Sequence, residues 1–187
     1  YHIPATTPTE RTYQILHEIK AEYICLGGDT RRPIISEVDR IMKLMEKSYD
    51  VIQTCGLAYH VDSCDGSVTE YDDPIKLYWE HCSDGITLST VYFRRRDFSS
   101  ILKFLNSRKM KNIWGPLLLY YDYYGNYKQF KGCYYNVSSM EETISGKSGG
   151  SFWRNSDKFL KIWGKQFEEF VSWLPESFGT EEQRWYP

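Results

Sequence analysis

The spacing of apolar residues changes period along this chain, and that change constrains the fold more than any other feature. Near the start, Tyr13, Leu16, Ile19, Tyr23 and Ile24 recur at helical intervals. Thr7-Pro8-Thr9-Glu10 ahead of them has the order of a capping box, and Gly27-Gly28 behind them supplies a stop. From Pro33 a second stripe forms from Ile34, Val38, Ile41, Met42 and Met45, with Glu37, Arg40, Lys43 and Glu46 turned to water. The period then drops to two. Leu57, Tyr59 and Val61 alternate with Ala58, His60 and Asp62, and Ile75, Leu77 and Trp79 alternate with Lys76, Tyr78 and Glu80, as strands do. Ser83-Asp84-Gly85 reads as a hairpin turn into a partner strand over 86–93. Asp97 caps a short helix carrying Phe98, Ile101, Leu102 and Leu105. Residues 117–124 and 127–135 read as a second hairpin about Gly125-Asn126. Helical spacing returns over 156–174, where Phe159, Ile162, Trp163, Phe167, Phe170 and Trp173 cover one face before Pro175.

This order predicts an α+β fold: an antiparallel sheet of about five strands packed by two N-terminal helices and a long C-terminal helix. With 187 residues the chain fits one domain. It divides into a helical pair over 1–50, a sheet with one inserted helix over 55–135, and a C-terminal helix and tail over 152–187. The stretch 145–151, Ser-Gly-Lys-Ser-Gly-Gly-Ser, reads as a linker. No fixed-period repeat is present.

Charge and cysteine content bound the function. A hydrophobic share of 41% against 26% charged residues supports a packed core, and the net charge of -2 excludes a globally basic nucleic-acid binder and a highly acidic DNA mimic. No apolar run reaches the roughly 18 residues of a membrane-spanning helix, so no membrane role is expected. The 5 cysteines are odd in number and none falls at Cys-x-x-Cys spacing. A soluble chain with reduced thiols is the preferred reading, intracellular rather than secreted. The start at Tyr1 and the sequon Asn136-Val137-Ser138 keep a secreted chain open.

Catalytic signatures are absent. His60, Asp62 and Cys64 fall on one side of a predicted strand, and His81-Cys82 follows on the next. His60, Asp62, Cys64 and His81 are therefore the candidates for a hydrolase or nuclease site. Cys64 and His60 cannot form a dyad on one strand, because i and i+4 stand roughly 13 Å apart. His17-Glu18 lacks the partner acid of a metal nuclease. Gly146-Lys147-Ser148 resembles the end of a phosphate loop, but Glu141 stands where the first glycine is needed. Neither a metal nor a cofactor is expected.

Two features favour macromolecular recognition. Residues 94–111 hold Arg94, Arg95, Arg96, Lys103, Arg108, Lys109 and Lys111 against Asp97 alone. Such a cluster attracts an acidic protein face or phosphate. The chain also has 16 tyrosines. Seven of them, Tyr120, Tyr121, Tyr123, Tyr124, Tyr127, Tyr134 and Tyr135, crowd the second predicted hairpin. Alternation sends one of each consecutive pair outward, and exposed tyrosines suit binding surfaces. The expected activity is protein–protein recognition of an inhibitor, immunity or effector type. These tyrosines would serve as anchors and Arg94, Arg95 and Arg96 as steering charges. A hydrolase or nuclease is the first alternative, and an RNA-binding module using residues 94–111 the second.

Overall fold

The structure is a computed structural model that describes residues 18–25, 31–55, 64–81, 90–95 and 129–142, together with Lys165, Glu168, Glu169 and Ser172. Its elements, in chain order, are β1 Tyr23–Cys25, β2 Arg31–Pro33, α1 Ile35–Glu46, β3 Val51–Cys55, β4 Val68–Tyr71, α2 Pro74–Glu80, β5 Val91–Arg94, β6 Gly132–Ser138 and β7 Met140–Glu142. Five strands form one sheet in the order β1-β5-β3-β6-β4, and β2 pairs with β7 in a separate ribbon.

The sheet is mixed, which corrects the antiparallel expectation. β3 and β6 run parallel, with Val51 opposite Gly132 and Tyr135 opposite Thr54. The remaining pairs of the sheet are antiparallel. Parallel neighbours need a long connection, and β3 is joined to β6 through residues 56–131, which include β4, α2 and β5. Both edges of β6 are taken, by β3 and β4. Residues 132–135 therefore do not pair with 117–124 as the second hairpin required. The first hairpin is also replaced, since Ile75, Leu77 and Trp79 lie on a helix. Asp73 caps it, its carboxylate accepting from the N–H of Ile75 at 2.8 Å and of Lys76 at 3.3 Å, and Pro74 opens the first turn. Pro74, Leu77 and Tyr78 are buried, a spacing of three and four that a seven-residue stretch shares with alternation.

The first N-terminal helix does not extend as expected either. Glu18 is helical, but Tyr23–Cys25 is an edge strand on β5, where Ile24 is buried opposite Phe93. Pairing and burial outweigh helical spacing in so short a segment. The described residues hold two helices, α1 and α2. Among the described residues no long C-terminal helix over 156–174 is seen. Of that stretch, Lys165, Glu168, Glu169 and Ser172 are described, each helical and exposed. The predicted strand at 57–61, the helix after Asp97 and the strand at 117–124 lie outside the described residues.

α1 covers one face of the sheet. Its Ile41 and Leu44 pack with Tyr49, Ile52, Tyr92, Cys133 and Tyr135. Register carries this layer across the strands as the row Cys25, Tyr92, Ile52, Cys133, Glu70. The other face carries the row Ile24, Phe93, Val51, Gly132, Tyr71, over which Leu77 of α2 and Phe130 close. Covered on both sides, β3 is buried at all five positions, Gln53 and Thr54 included. Thr54 donates to the carbonyl of Thr90 at 3.1 Å, and its hydroxyl lies 2.6 Å from that of Ser139. A hydroxyl has one proton to give, so Ser139 is the donor of the second bond.

Candidate functional site

Three polar clusters and two exposed surfaces contain the chemistry of the described residues. The first cluster gathers about His81, which follows α2. Its imidazole lies flat on the Tyr134 ring, with centroids 3.5 Å apart and planes 3° from parallel. Tyr71 donates to Oε2 of Glu80 at 2.7 Å, and its oxygen is 2.9 Å from Nε2 of His81. Because the phenol proton is spent on the carboxylate, Nε2 of His81 carries a hydrogen and donates to Tyr71. His81 thus reaches Glu80 through a phenol. Gln53, in the centre of the sheet, donates to the His81 carbonyl at 2.6 Å. The arrangement locks the end of α2 to β3, β4 and β6. Of the other sequence-derived catalytic candidates, Cys64 is half-buried at the start of the stretch 64–81, and His60 and Asp62 lie outside the described residues. No group of three His, Cys, Asp or Glu among the described residues is arranged to hold a metal ion.

The second cluster joins α1 to β6. Tyr135 donates to Glu37 at 2.9 Å, and Arg40 donates to the Tyr135 oxygen at 3.4 Å while facing Glu37 at 3.6 Å. Tyr134 and Tyr135 do point to opposite faces, as alternation requires, yet they are only 8% and 4% exposed because both faces are covered. Tyr120, Tyr121, Tyr123, Tyr124 and Tyr127 lie outside the described residues.

The third cluster is centred on Arg94. Its guanidinium donates to the carbonyls of Ser48 at 2.7 Å and Tyr49 at 3.3 Å, and meets Glu22 at 3.0 Å and Asp50 at 3.4 Å. It also lies 5.6 Å from the centre of the Tyr23 ring. Ser48 has φ 60°, so this corner turns through the left-handed region just after α1, and Arg94 caps the exposed carbonyls. Arg95 donates to the Ala21 carbonyl at 3.0 Å, and Arg96 lies outside the described residues. Sequence reasoning placed Arg94 on a surface patch and missed this corner. The isolated β-strand signal at Tyr23–Cys25 was masked by helical spacing, and the corner depends on it.

Burial is the largest influence on the ionisation of the buried phenols and thiols. Desolvation, then the hydrogen bond to Glu80, pushes the Tyr71 phenol up to about 12, and desolvation raises Tyr92 to about 12 as well. Tyr49, whose hydroxyl donates to Glu70, is raised by burial and then by that bond. Burial also lifts the thiols of Cys25 and Cys133 to about 12, which keeps them protonated and poor nucleophiles at neutral pH. These groups hold their protons more tightly in the folded chain than in the unfolded one, where phenols titrate near about 10. The stability they give is complete below the unfolded value and is lost as pH rises through the folded one. The urea midpoint is therefore expected to be level up to about pH 8, to start falling at about pH 9 as the unfolded thiols ionise, and to fall more steeply above about pH 10 with the phenols. Tyrosinate absorbance should lag that of the urea-unfolded chain, and Tyr71→Phe should reduce the lag. A midpoint that stays level through pH 11 would contradict this assignment.

Two surfaces are open. On α1, Ile35 is 81% exposed and Met42 56% exposed. They are seven residues apart and therefore on the same side of the helix. At the sheet edge, Val68, Thr69 and Glu70 of β4 are exposed. No helix among the described residues is long and apolar enough to cross a membrane. No protein-family model matches the chain, and no curated protein matches it in sequence.

Proposed function

We propose that the chain is a protein-recognition domain, with the outward side of α1 as a contact surface for an apolar patch on its partner. The aligned exposure of Ile35 and Met42 carries this reading. The helix has already buried Ile41 and Leu44 on its inner side, so these two side chains add nothing to the core described above. Single exposed apolar residues are ordinary, but two large ones stacked on one helix side, among Ser36, Asp39, Lys43 and Glu46, make an apolar strip with a polar rim. Tyr120, Tyr121, Tyr123, Tyr124 and Tyr127 stay in the proposal as further anchors, on sequence grounds.

The test is capture of a partner from native extract by the wild-type chain and by the double variant Ile35→Glu, Met42→Glu. Glutamate suits both positions. The first lies in the opening turn of the helix, where an acid is favourable, and the second needs only a good helix former. Stability should therefore change by no more than about 0.5 kcal/mol. Capture is expected to weaken at least about tenfold, since each apolar side chain buried at an interface contributes roughly 1.5–3 kcal/mol. Undiminished capture by the variant would overturn the surface. Capture abolished by nuclease would favour the RNA-binding alternative.

A further inference from the structure

β4 ends the five-stranded sheet and, among the described residues, pairs with β6 alone. A bulge decides which of its backbone groups meet β6. Gly66, at φ 72°, donates its N–H to the Asn136 carbonyl at 3.0 Å, and the Asn136 N–H donates to the Ser67 carbonyl at 2.9 Å. Two residues thus oppose one, with glycine in the left-handed position. Asp65 holds the bulge, accepting from the Ser67 N–H and from Nδ2 of Asn136, each at 2.9 Å. Bonded and non-bonded positions alternate from there along an antiparallel ladder. Thr69 opposite Tyr134 and Tyr71 opposite Gly132 turn their backbone groups to β6. Val68 and Glu70, opposite Tyr135 and Cys133, turn theirs away from the sheet.

This edge has the features of a strand-addition site. Val68 is 40% exposed, and Thr69 and Glu70 are exposed beside it. Edges are blunted by proline, lysine, bulges or short strands. The stretch 64–73 has neither proline nor lysine, and beyond its bulge the four residues Val68–Tyr71 pair with β6 in unbroken register. The same stretch carries Asp65, Glu70, Asp72 and Asp73 and no basic residue. Pairing of β4 with a second copy of itself would set these acids against one another. A strand bearing lysine or arginine meets them favourably.

We infer that β4 is a docking edge for an extended, basic segment of a protein partner, which adds as a sixth strand beside Val68 and Glu70. The inference rests on the protein-recognition reading and names the partner's chemistry at a surface separate from α1. The incoming strand places an apolar residue against Val68 and a cation against Glu70, two positions along on the same face. Its N–H and C=O groups bond those of Val68 and Glu70.

The probe is a synthetic peptide of about six residues, the length of an ordinary strand, with valine and lysine on one face. It is compared with a copy carrying glutamate for lysine and a copy N-methylated at alternate residues. Binding to the full chain is measured in low and high salt, with amide hydrogen exchange read at Val68 and Glu70. The lysine peptide is expected to bind, to slow exchange at both amides, and to weaken as salt rises. The acidic and N-methylated copies should each bind about tenfold or more weakly, the worth of one to two hydrogen bonds or ion pairs. Val68→Pro removes an outward N–H without touching the bonds to β6, and Asp72→Lys reverses an exposed charge, and each should weaken the lysine peptide to a similar degree. Equal binding of the three peptides, or equal binding by wild type and both variants, would overturn the inference. So would a dimer of the chain that Val68→Pro dissociates. If the native partner is lost by the α1 variant yet retained by Val68→Pro and Asp72→Lys, strand addition falls and protein recognition stands.

Discussion

Arg94→Ala is expected to cost about 3 kcal/mol of folding stability. The side chain is 12% exposed and the carboxylate of Asp50 beside it 13%. Removing the guanidinium takes a largely buried cation away from Asp50 and strips the carbonyls of Ser48 and Tyr49 of a donor. Asp50 also accepts from the Lys131 N–H at 3.0 Å, a neutral donor that does not replace the lost positive charge. Glu22, whose side chain is 70% exposed, contributes little to the loss. Arg94→Lys should recover less than half, because one ammonium cannot span two carbonyls and a carboxylate as the planar fork does. Urea denaturation of the three proteins measures both effects. A loss under about 1 kcal/mol for alanine would show that water replaces the guanidinium, and would return Arg94 to the role of a surface steering charge.

The second large effect is expected at Gly132. A Cβ there would lie 2.6 Å from Cζ and 2.7 Å from Cε1 of Phe130, and 2.9 Å from Cδ2 of Leu77. Both neighbours are buried, Leu77 completely, so neither ring nor methyl can move aside without opening a gap elsewhere. Gly132→Ala should therefore lose about 1–3 kcal/mol by overpacking, and Gly132→Val more. The cause is separable from loss of backbone freedom. If crowding is responsible, Phe130→Leu in the same chain should restore about 1 kcal/mol to Gly132→Ala while destabilising the wild type. Strict additivity of the two changes would reject the steric account.

Both predictions fall at places the linear pattern hides. Gly132 sits among tyrosines in a stretch read as one arm of a hairpin, and its lack of a side chain matters only because α2 and Phe130 close over that spot. Arg94 reads as the first of three arginines in a basic run. It becomes an internal cap once Tyr23–Cys25 pairs with β5 and brings Glu22 alongside, while the turn after α1 brings Ser48 and Tyr49. The segment Val51–Cys55 has no alternation to detect, since both its faces are covered and polar Gln53 and Thr54 are satisfied by bonds to residues 28 and 36 positions away. The helix α2 was legible in principle from Asp73-Pro74, a cap followed by a first-turn proline, but alternation of Ile75, Leu77 and Trp79 competes with it over so short a span.

The amino-acid order alone determined those properties that depend on near neighbours. These are the apolar stripe that makes Ile35–Glu46 a helix, the cap at Asp73, the glycine that turns the chain at residue 66, and the clustering of acids between 64 and 73. Tertiary structure decided the rest: that β6 lies parallel to β3, that Tyr134 and Tyr135 are both covered, that Arg94 faces inward, and that β4 is left at the edge. The reason is one of range. A cap or stripe is a matter of residues within a turn or two of each other. A strand's neighbours, and the number of its faces that are buried, follow from contacts such as Val51 with Gly132, formed across eighty residues of chain only when the whole sheet assembles.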